Sequence, residues 1–217
     1  MRTCLLAALC LFTSLALADA PKDKAQEKTL FDGKSLADWQ SVDCGGSGAV
    51  ELKDGTMVIG TGESVSGAVY KKTADLPLQN YEITLEAQRV EGSDFFCGLT
   101  FPVGNLKTCA SLILGGWGGT VTGISCIDGL DASENSTGHY RTFDNNKWYS
   151  IKVRVTPDAL VVWSNNDKII DADIKDKKIS LRSGPIEEYA PFSVTTYQST
   201  GAIRNIKVTP IQGAAAK

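Results

Sequence analysis

The fold is decided by residues 148–171, WYSIKVRVTPDALVVWSNNDKIID. Apolar and polar residues alternate along 148–155, and turn residues interrupt the pattern at Pro157-Asp158 and at 165–167. A period of two places alternate side chains on opposite faces of a strand, one packed on a core and the other facing water. The stretch is therefore predicted to form consecutive strands at 148–155, 159–164 and 167–171, joined by turns.

The same alternation recurs throughout the chain, whereas a helical period is nearly absent. Residues 81–87, YEITLEA, alternate as cleanly as 148–155. Further strands are predicted at 49–52, 56–60, 67–71, 94–101, 109–114, 119–126, 179–182, 191–197 and 202–209. About a dozen short strands with no helices between them predict an all-β sandwich or barrel.

The first 20 residues are predicted to be a secretory signal peptide. Arg2 precedes the uncharged apolar run 5–17, and small-x-small cleavage sites follow at 16–18 and 18–20. The run is too short to span a membrane. The residue before Cys10 is a leucine, which disfavours a lipid anchor. The protein is therefore expected to be secreted or periplasmic, without a membrane anchor.

The rest of the chain is predicted to be one domain. Residues 21–28 are polar and charged and are predicted to be a linker, 29–211 the domain, and 212–217 a disordered tail. The net charge is −3 and no basic cluster stands out, which argues against a nucleic-acid partner. The oligomeric state is left open.

Four cysteines remain after the signal peptide, and an even number in an exported chain suggests two disulfides. Cys97 and Cys109 lie almost equally far from a turn predicted near 103–104. Directly opposed positions on paired strands are close to disulfide reach. We predict the pairs Cys97–Cys109 and Cys44–Cys126, with the other two connectivities open. The cysteine spacings are not those of a zinc site, and zinc binding is the minor alternative for these residues.

Three segments resemble the 3-keto-disaccharide hydrolase family of exported bacterial proteins: 30–39 (LFDGKSLADW), the hairpin stretch 148–171, and 203–208 (IRNIKV). The resemblance covers about residues 29–211. It implies a two-sheet antiparallel jelly roll of the concanavalin or laminin-G type. It also implies a hydrolase acting on glycosides, including 3-keto-disaccharides.

Two segments in the middle depart from that family. Typical members carry Asn-Ser-Gly after the strand corresponding to 81–90, and Gly-Tyr-Glu-x-Gln on the next hairpin. Here the first place reads SDFFCG (93–98) and the second LGGWG (114–118), without the Glu and Gln. The alternative function is therefore a non-catalytic carbohydrate-binding or adhesion module of the same fold.

The candidate bases are Glu82, Glu86 and His139. The two glutamates lie on one face of a strand, about 13 Å apart, too far for a glycosidase pair. In a 3-keto-disaccharide, the substrate that the resemblance implies, the ketone at C3 acidifies the proton on C2. Elimination of the glycosidic oxygen then needs only one base and a group that stabilises the enolate. The resemblance implies a concave face over 81–90, 109–119 and 191–198. Another interpretation of Glu82 and Glu86 is a solvated strand face.

Trp117 is the candidate platform for a sugar ring, because four glycines around it leave the backbone bare. A Trp packed over a bulged strand is the alternative. Tyr140, Arg182 and Tyr197 are further candidates for substrate binding, and Arg182 or Tyr197 for oxyanion stabilisation. Apart from a candidate calcium site described next, no cofactor or metal is expected.

An acidic loop offers one candidate cation site. Asp128 and Asp131 supply oxygen atoms of the kind that calcium prefers, although the spacing differs from an EF-hand. A plain acidic surface loop is the favoured interpretation.

Overall fold

The computed structural model describes residues 26–211. The predicted signal peptide, most of the linker and the predicted tail at 212–217 lie outside this range. Short 3₁₀ helices occur at Thr73–Asp75 and Pro185–Tyr189. Within the described range the strands are β1 (Lys28–Phe31), β2 (Trp39–Ser41), β3 (Val50–Lys53), β4 (Thr56–Ile59), β5 (Ser66–Tyr70), β6 (Tyr81–Gly92), β7 (Cys97–Val103), β8 (Asn105–Gly116), β9 (Val121–Ser125), β10 (His139–Tyr140), β11 (Trp148–Val155), β12 (Ala159–Ser164), β13 (Asp167–Asp173), β14 (Ser193–Thr196) and β15 (Ser199–Pro210).

The strands form two antiparallel sheets. The first sheet has the order β13-β12-β11-β6-β15-β4-β3, and β1 also pairs with β15. The second sheet has the order β10-β9-β8-β7-β14-β5-β2. The predicted all-β, two-sheet jelly roll is confirmed.

The core lies between the sheets and is built by the alternation seen in the sequence. On β6 the residues Tyr81, Ile83 and Leu85 are at most 3% exposed, and the residues between them are half-buried. On β11 the residues Ile151 and Val153 point inward in the same way. Fully burying one such aliphatic side chain contributes about 1.5–3 kcal/mol, so the two long central strands supply much of the driving force for folding.

Several strand boundaries differ from the sequence prediction. The segment 179–182 forms an isolated bridge between Ile179 and Ile127 rather than a strand. The short strands β1, β2 and β10 were not predicted, because two to four residues are too few to display a period. Lys28, the last residue of the predicted linker, already pairs with Val208.

The predicted disulfides are wrong: all four cysteines of residues 26–211 are free thiols in the structure. The turn at 103–104 is correct, but the register shifts directly after it. Cys109 therefore faces Pro102, and Cys97 faces Leu114. This places the two thiols about five residues, or about 17 Å, apart along the hairpin. Burial raises the pKa of Cys97 to about 12 and that of Cys109 to about 11.

The predicted pair Cys44–Cys126 is likewise absent. The Cys44 sulfur lies 3.7 Å from the carbonyl oxygen of Pro185, and the Cys126 sulfur lies 3.4 Å from the hydroxyl of Ser125. Each thiol thus has a polar neighbour other than a second sulfur.

Candidate functional site

A cavity of about 380 Å³ lies on the outer face of the second sheet. Ser111 and Ile113 of β8 point into it, while Leu112 and Leu114 between them point into the core. The segment that carries Arg182, Ser183, Pro185 and Ile186 forms another part of the wall, and the remaining lining residues are Val65, Asp94, Phe95, Trp117, Ser125 and Tyr197.

The floor of the cavity carries hydroxyl groups. Ser111 on β8 is directly opposite Ser125 on β9, and each is 2% exposed. On the other side Ser111 is opposite Thr100 of β7, and their side-chain oxygens are 2.8 Å apart. Thr100 is in turn opposite Ser193 of β14. The row of hydroxyls thus crosses four strands, and its members Ser111 and Ser125 line the cavity. Each of these two hydroxyls can both donate and accept a hydrogen bond.

Trp117 stands at the tip of a tight turn, residues 115–119, which follows β8. Its φ angle is 49°, and the glycines at 115, 118 and 119 also have positive φ. Glycine adopts this left-handed conformation at no steric cost, which explains the run of glycines. The indole is half-buried and lines the cavity. The guanidinium carbon of Arg182 lies 5.7 Å from its ring centroid, a cation–π arrangement.

Asp94 connects this turn to the opposite wall, and the sequence did not reveal it as a site residue. Its Oδ2 accepts a hydrogen bond of 2.8 Å from the backbone N–H of Gly118. Its Oδ1 accepts one of 2.7 Å from the backbone N–H of Phe95. The Phe95 ring stacks on Tyr197 with centroids 6.0 Å apart, giving the cavity an aromatic wall. The only signal for Asp94 was that it lies where the sequence departs from the family pattern.

The structure brings together Trp117, Arg182 and Tyr197, three of the predicted site residues. It separates them from Glu82 and Glu86. Because β6 belongs to the first sheet and β8 and β14 to the second, the expected common concave surface is wrong. The two glutamates lie on the outer face of the first sheet, across the sandwich from the cavity.

Both glutamates are held in ion pairs on that face. Glu82 accepts hydrogen bonds of 2.8 and 2.6 Å from Arg154. Glu86 accepts bonds of 3.0 and 3.1 Å from Arg204 and one of 2.6 Å from Asn205. The hydrogen bond from Arg204 lowers the pKa of Glu86. This geometry supports the interpretation of the glutamates as a solvated strand face.

We predict that Glu86→Gln lowers the free energy of unfolding by less than about 1 kcal/mol at pH 7, because the lost ion pair is partly exposed. A pKa that is lowered in the folded state stabilises the protein above the ordinary value of 4.5, and that contribution is lost as the pH falls through the folded value. Urea melts at pH 7 and pH 3 should therefore show a difference that shrinks at the lower pH. A constant difference would contradict this assignment.

His139 and Tyr140 lie on the edge strand β10, and neither lines the cavity. His139 pairs with Thr122 on β9, and its Nδ1 lies 3.2 Å from the carbonyl oxygen of Thr137. Tyr140 is 85% exposed. A catalytic role for His139 and a binding role for Tyr140 thus have no support from their positions.

The carboxylates predicted as calcium ligands already have partners. Asp128 accepts hydrogen bonds of 2.9 Å from the Lys177 ammonium and from the Lys178 backbone N–H. The bond from Lys177 lowers the pKa of Asp128. Asp131 accepts two bonds from Ser133 and lies 3.7 Å from Arg182. Within residues 26–211 no group of three or more His, Cys, Asp or Glu is arranged to hold a metal. Calcium binding at this loop stays a prediction.

Fold and site together define a two-sheet β-sandwich domain with an aromatic and hydroxyl-lined cavity on one outer face. Residues 26–209 match the model of the 3-keto-alpha-glucoside-1,2-lyase-like domain, and the chain belongs to this family. The predicted relationship to the 3-keto-disaccharide hydrolases is confirmed. No curated protein matches the sequence.

Solved structures with the same fold include several carbohydrate-active proteins. A Crh5 transglycosylase in complex with NAG has a TM-score of 0.60 at 9% identity, over 90% of this chain and 89% of that one. Domain 4 of AbnA, a GH43 extracellular arabinanase from Geobacillus stearothermophilus, in complex with arabinotriose, has a TM-score of 0.55 at 14% identity, over 87% and 94%. A native glycosidic hydrolase has a TM-score of 0.57 at 10% identity, over 88% and 98%. At these identities the likeness concerns the fold.

Proposed function

We propose that this protein binds a carbohydrate in the cavity on the second sheet, with Trp117 as the platform for a sugar ring. The observation that carries the proposal is a half-buried indole beside a floor of hydroxyls. A sugar ring presents C–H groups on its faces and hydroxyls at its edge. An aromatic face covers the former, and Ser111 and Ser125 are placed to bond the latter.

The comparisons support the same class of ligand. The family is glycoside-related, and two proteins of similar fold are described in complex with NAG and with arabinotriose. The signal peptide predicted at residues 1–20 favours a ligand that is bound outside the cytoplasm. Among the described residues, no helix is long and apolar enough to cross a membrane.

Binding without turnover is favoured by the carboxylate content of the cavity. Asp94 is the one carboxylate among the described lining residues, and both of its oxygens hold backbone N–H groups. A general base must be free to take a proton from the substrate. Proton transfer to Asp94 would weaken the hydrogen bonds that hold the Trp117 turn.

A second candidate function is elimination from 3-keto-glycosides, as the family description suggests. Asp94, Arg182 and Tyr197 line one cavity, which would place a base beside two groups able to stabilise an enolate. In this reaction the carboxylate removes the C2 proton, and the enolate expels the glycosidic oxygen from C1. That oxygen takes up a proton, and water then adds to the resulting double bond.

One experiment separates the two candidates. The mature protein is titrated calorimetrically with trehalose, arabinotriose and N-acetylglucosamine oligomers, and is incubated with 3-keto-trehalose while released monosaccharide is measured. Saturable binding without release supports the binding module. Release that is lost in Asp94→Asn supports the enzyme, and neither signal in any titration or incubation contradicts both.

A further inference from the structure

Arg89 is a buried charge at a position where the sequence pattern calls for an apolar residue. It continues the inward-facing series Tyr81, Ile83, Leu85 and Ala87 on β6, and it is 6% exposed. None of the ion pairs within residues 26–211 includes it. Burying an unpaired charge is expensive unless its donors find acceptors, so the contacts of the guanidinium indicate its role.

The guanidinium crosses the sandwich from the first sheet to the Trp117 turn. Its Nη2 donates to the carbonyl oxygens of Gly115, at 3.4 Å, and Gly119, at 3.2 Å. Its Nη1 donates to the carbonyl oxygen of Phe143 at 3.3 Å. The guanidinium carbon lies 5.2 Å from the ring centroid of Phe96, whose face supports the charge.

Arg89 and Asp94 hold the turn from two sides. The arginine bonds the carbonyls at its two ends, residues 115 and 119, and the aspartate bonds the N–H of Gly118 next to Trp117. The approach is close: a Cβ on Gly115 would collide with Nη2 of Arg89. The turn has four residues at positive φ, and the N–H groups of Gly119 and Thr120 close it on the carbonyl oxygen of Gly116. The contacts of Arg89 and Asp94 add to these backbone bonds and anchor the turn to the rest of the sandwich.

We propose that Arg89 is a positioning residue that fixes the turn 115–119 so that the Trp117 indole faces the cavity. Arg89 is not among the residues that line the cavity, so its effect on a ligand there would pass through the turn. The inference rests on the proposed function where it concerns carbohydrate binding, but the turn geometry itself is independent of any ligand. Lysine cannot replace it, because one ammonium lacks the planar fork that reaches separated carbonyls.

The test uses ¹⁹F NMR of protein labelled with 5-fluorotryptophan. The chain has four tryptophans, and Trp117→Phe identifies the resonance of Trp117. In Arg89→Lys and Arg89→Met this resonance should shift or broaden, while those of the other tryptophans stay in place. Leu85→Ala is the matched control, because it removes a buried side chain four residues before Arg89 on the same strand, about 13 Å away along it. It should lower the melting temperature and leave the Trp117 resonance unchanged.

A Trp117 resonance in Arg89→Lys that coincides with that of the native protein overturns the proposal, and this variant decides the matter if Arg89→Met does not fold. As a second readout, Arg89→Lys should weaken carbohydrate binding at least tenfold, whereas Leu85→Ala should not. The spectrum of the ligand-free protein tests the role of Arg89 separately from the proposed carbohydrate binding. A shifted resonance in a protein whose native form binds none of the tested carbohydrates refutes the proposed function and retains the role of Arg89.

Discussion

Replacing Val153 with aspartate is expected to lower the free energy of unfolding by about 3–5 kcal/mol, because it buries a carboxylate without a partner. Val153 is fully buried, and β11 lies between β6 and β12 in the first sheet. Its cross-strand neighbours are Ile83 and Val162, both apolar and both buried. Neither of these side chains can offer the new charge a hydrogen bond.

Urea unfolding followed by far-UV circular dichroism measures this effect, with Lys152→Ala as the control. Lys152 is the next residue on the same strand and points outward. Its ammonium lies 4.2 Å from the Trp163 ring centroid and 3.9 Å from Glu82. Its loss should cost less than about 1 kcal/mol, because both contacts are only partly shielded from solvent. Equal losses in the two variants would contradict the assignment of Val153 to the inward face and Lys152 to the outward face of β11.

The alternation in the sequence predicted the main strands well because it is a local property. The polarity of each residue in 148–155 indicates which face of the strand it lies on, and Ile151, Val153 and Val155 are buried as expected. The pattern does not report which strands are neighbours. Glu82 lies on a strand that pairs with β11 and β15, and this order depends on contacts far apart in the chain. The face of the sandwich that carries the glutamates was therefore beyond the reach of a local pattern.

The wrong disulfide prediction and the missed residues Asp94 and Arg89 have similar causes. Residues 106–108 loop out of the β7–β8 hairpin and shift its register by three positions, which removed the expected Cys97–Cys109 contact. Asp94 was missed because Gly118, whose N–H it accepts, lies 24 residues further along the chain and comes near it only after folding. Arg89 could have been noticed in the sequence. A charge in the inward register of an alternating strand indicates a buried polar contact.

Trp117→Ala is expected to weaken carbohydrate binding by about 1.5–3 kcal/mol, the sum of the lost apolar contact and the stacking on the ring. This corresponds to a rise in Kd of about 10- to 150-fold. The indole is half-buried, and its neighbours in the cavity wall keep their own contacts: Phe95 remains stacked on Tyr197. The melting temperature should therefore change much less than the affinity.

Calorimetric titration of Trp117→Ala against Trp163→Ala makes the comparison decisive. Trp163 is also half-buried and also contacts cations, at 4.2 Å from Lys152 and 5.3 Å from Arg154, but it lies on the outer face of the first sheet. Its removal should leave Kd unchanged, since the ligand is expected on the second sheet. If Trp163→Ala loses the affinity and Trp117→Ala keeps it, the binding surface lies on the face that carries Glu86. A platform contributes to ground state and transition state alike, so any turnover in Trp117→Ala should show a raised KM with kcat retained.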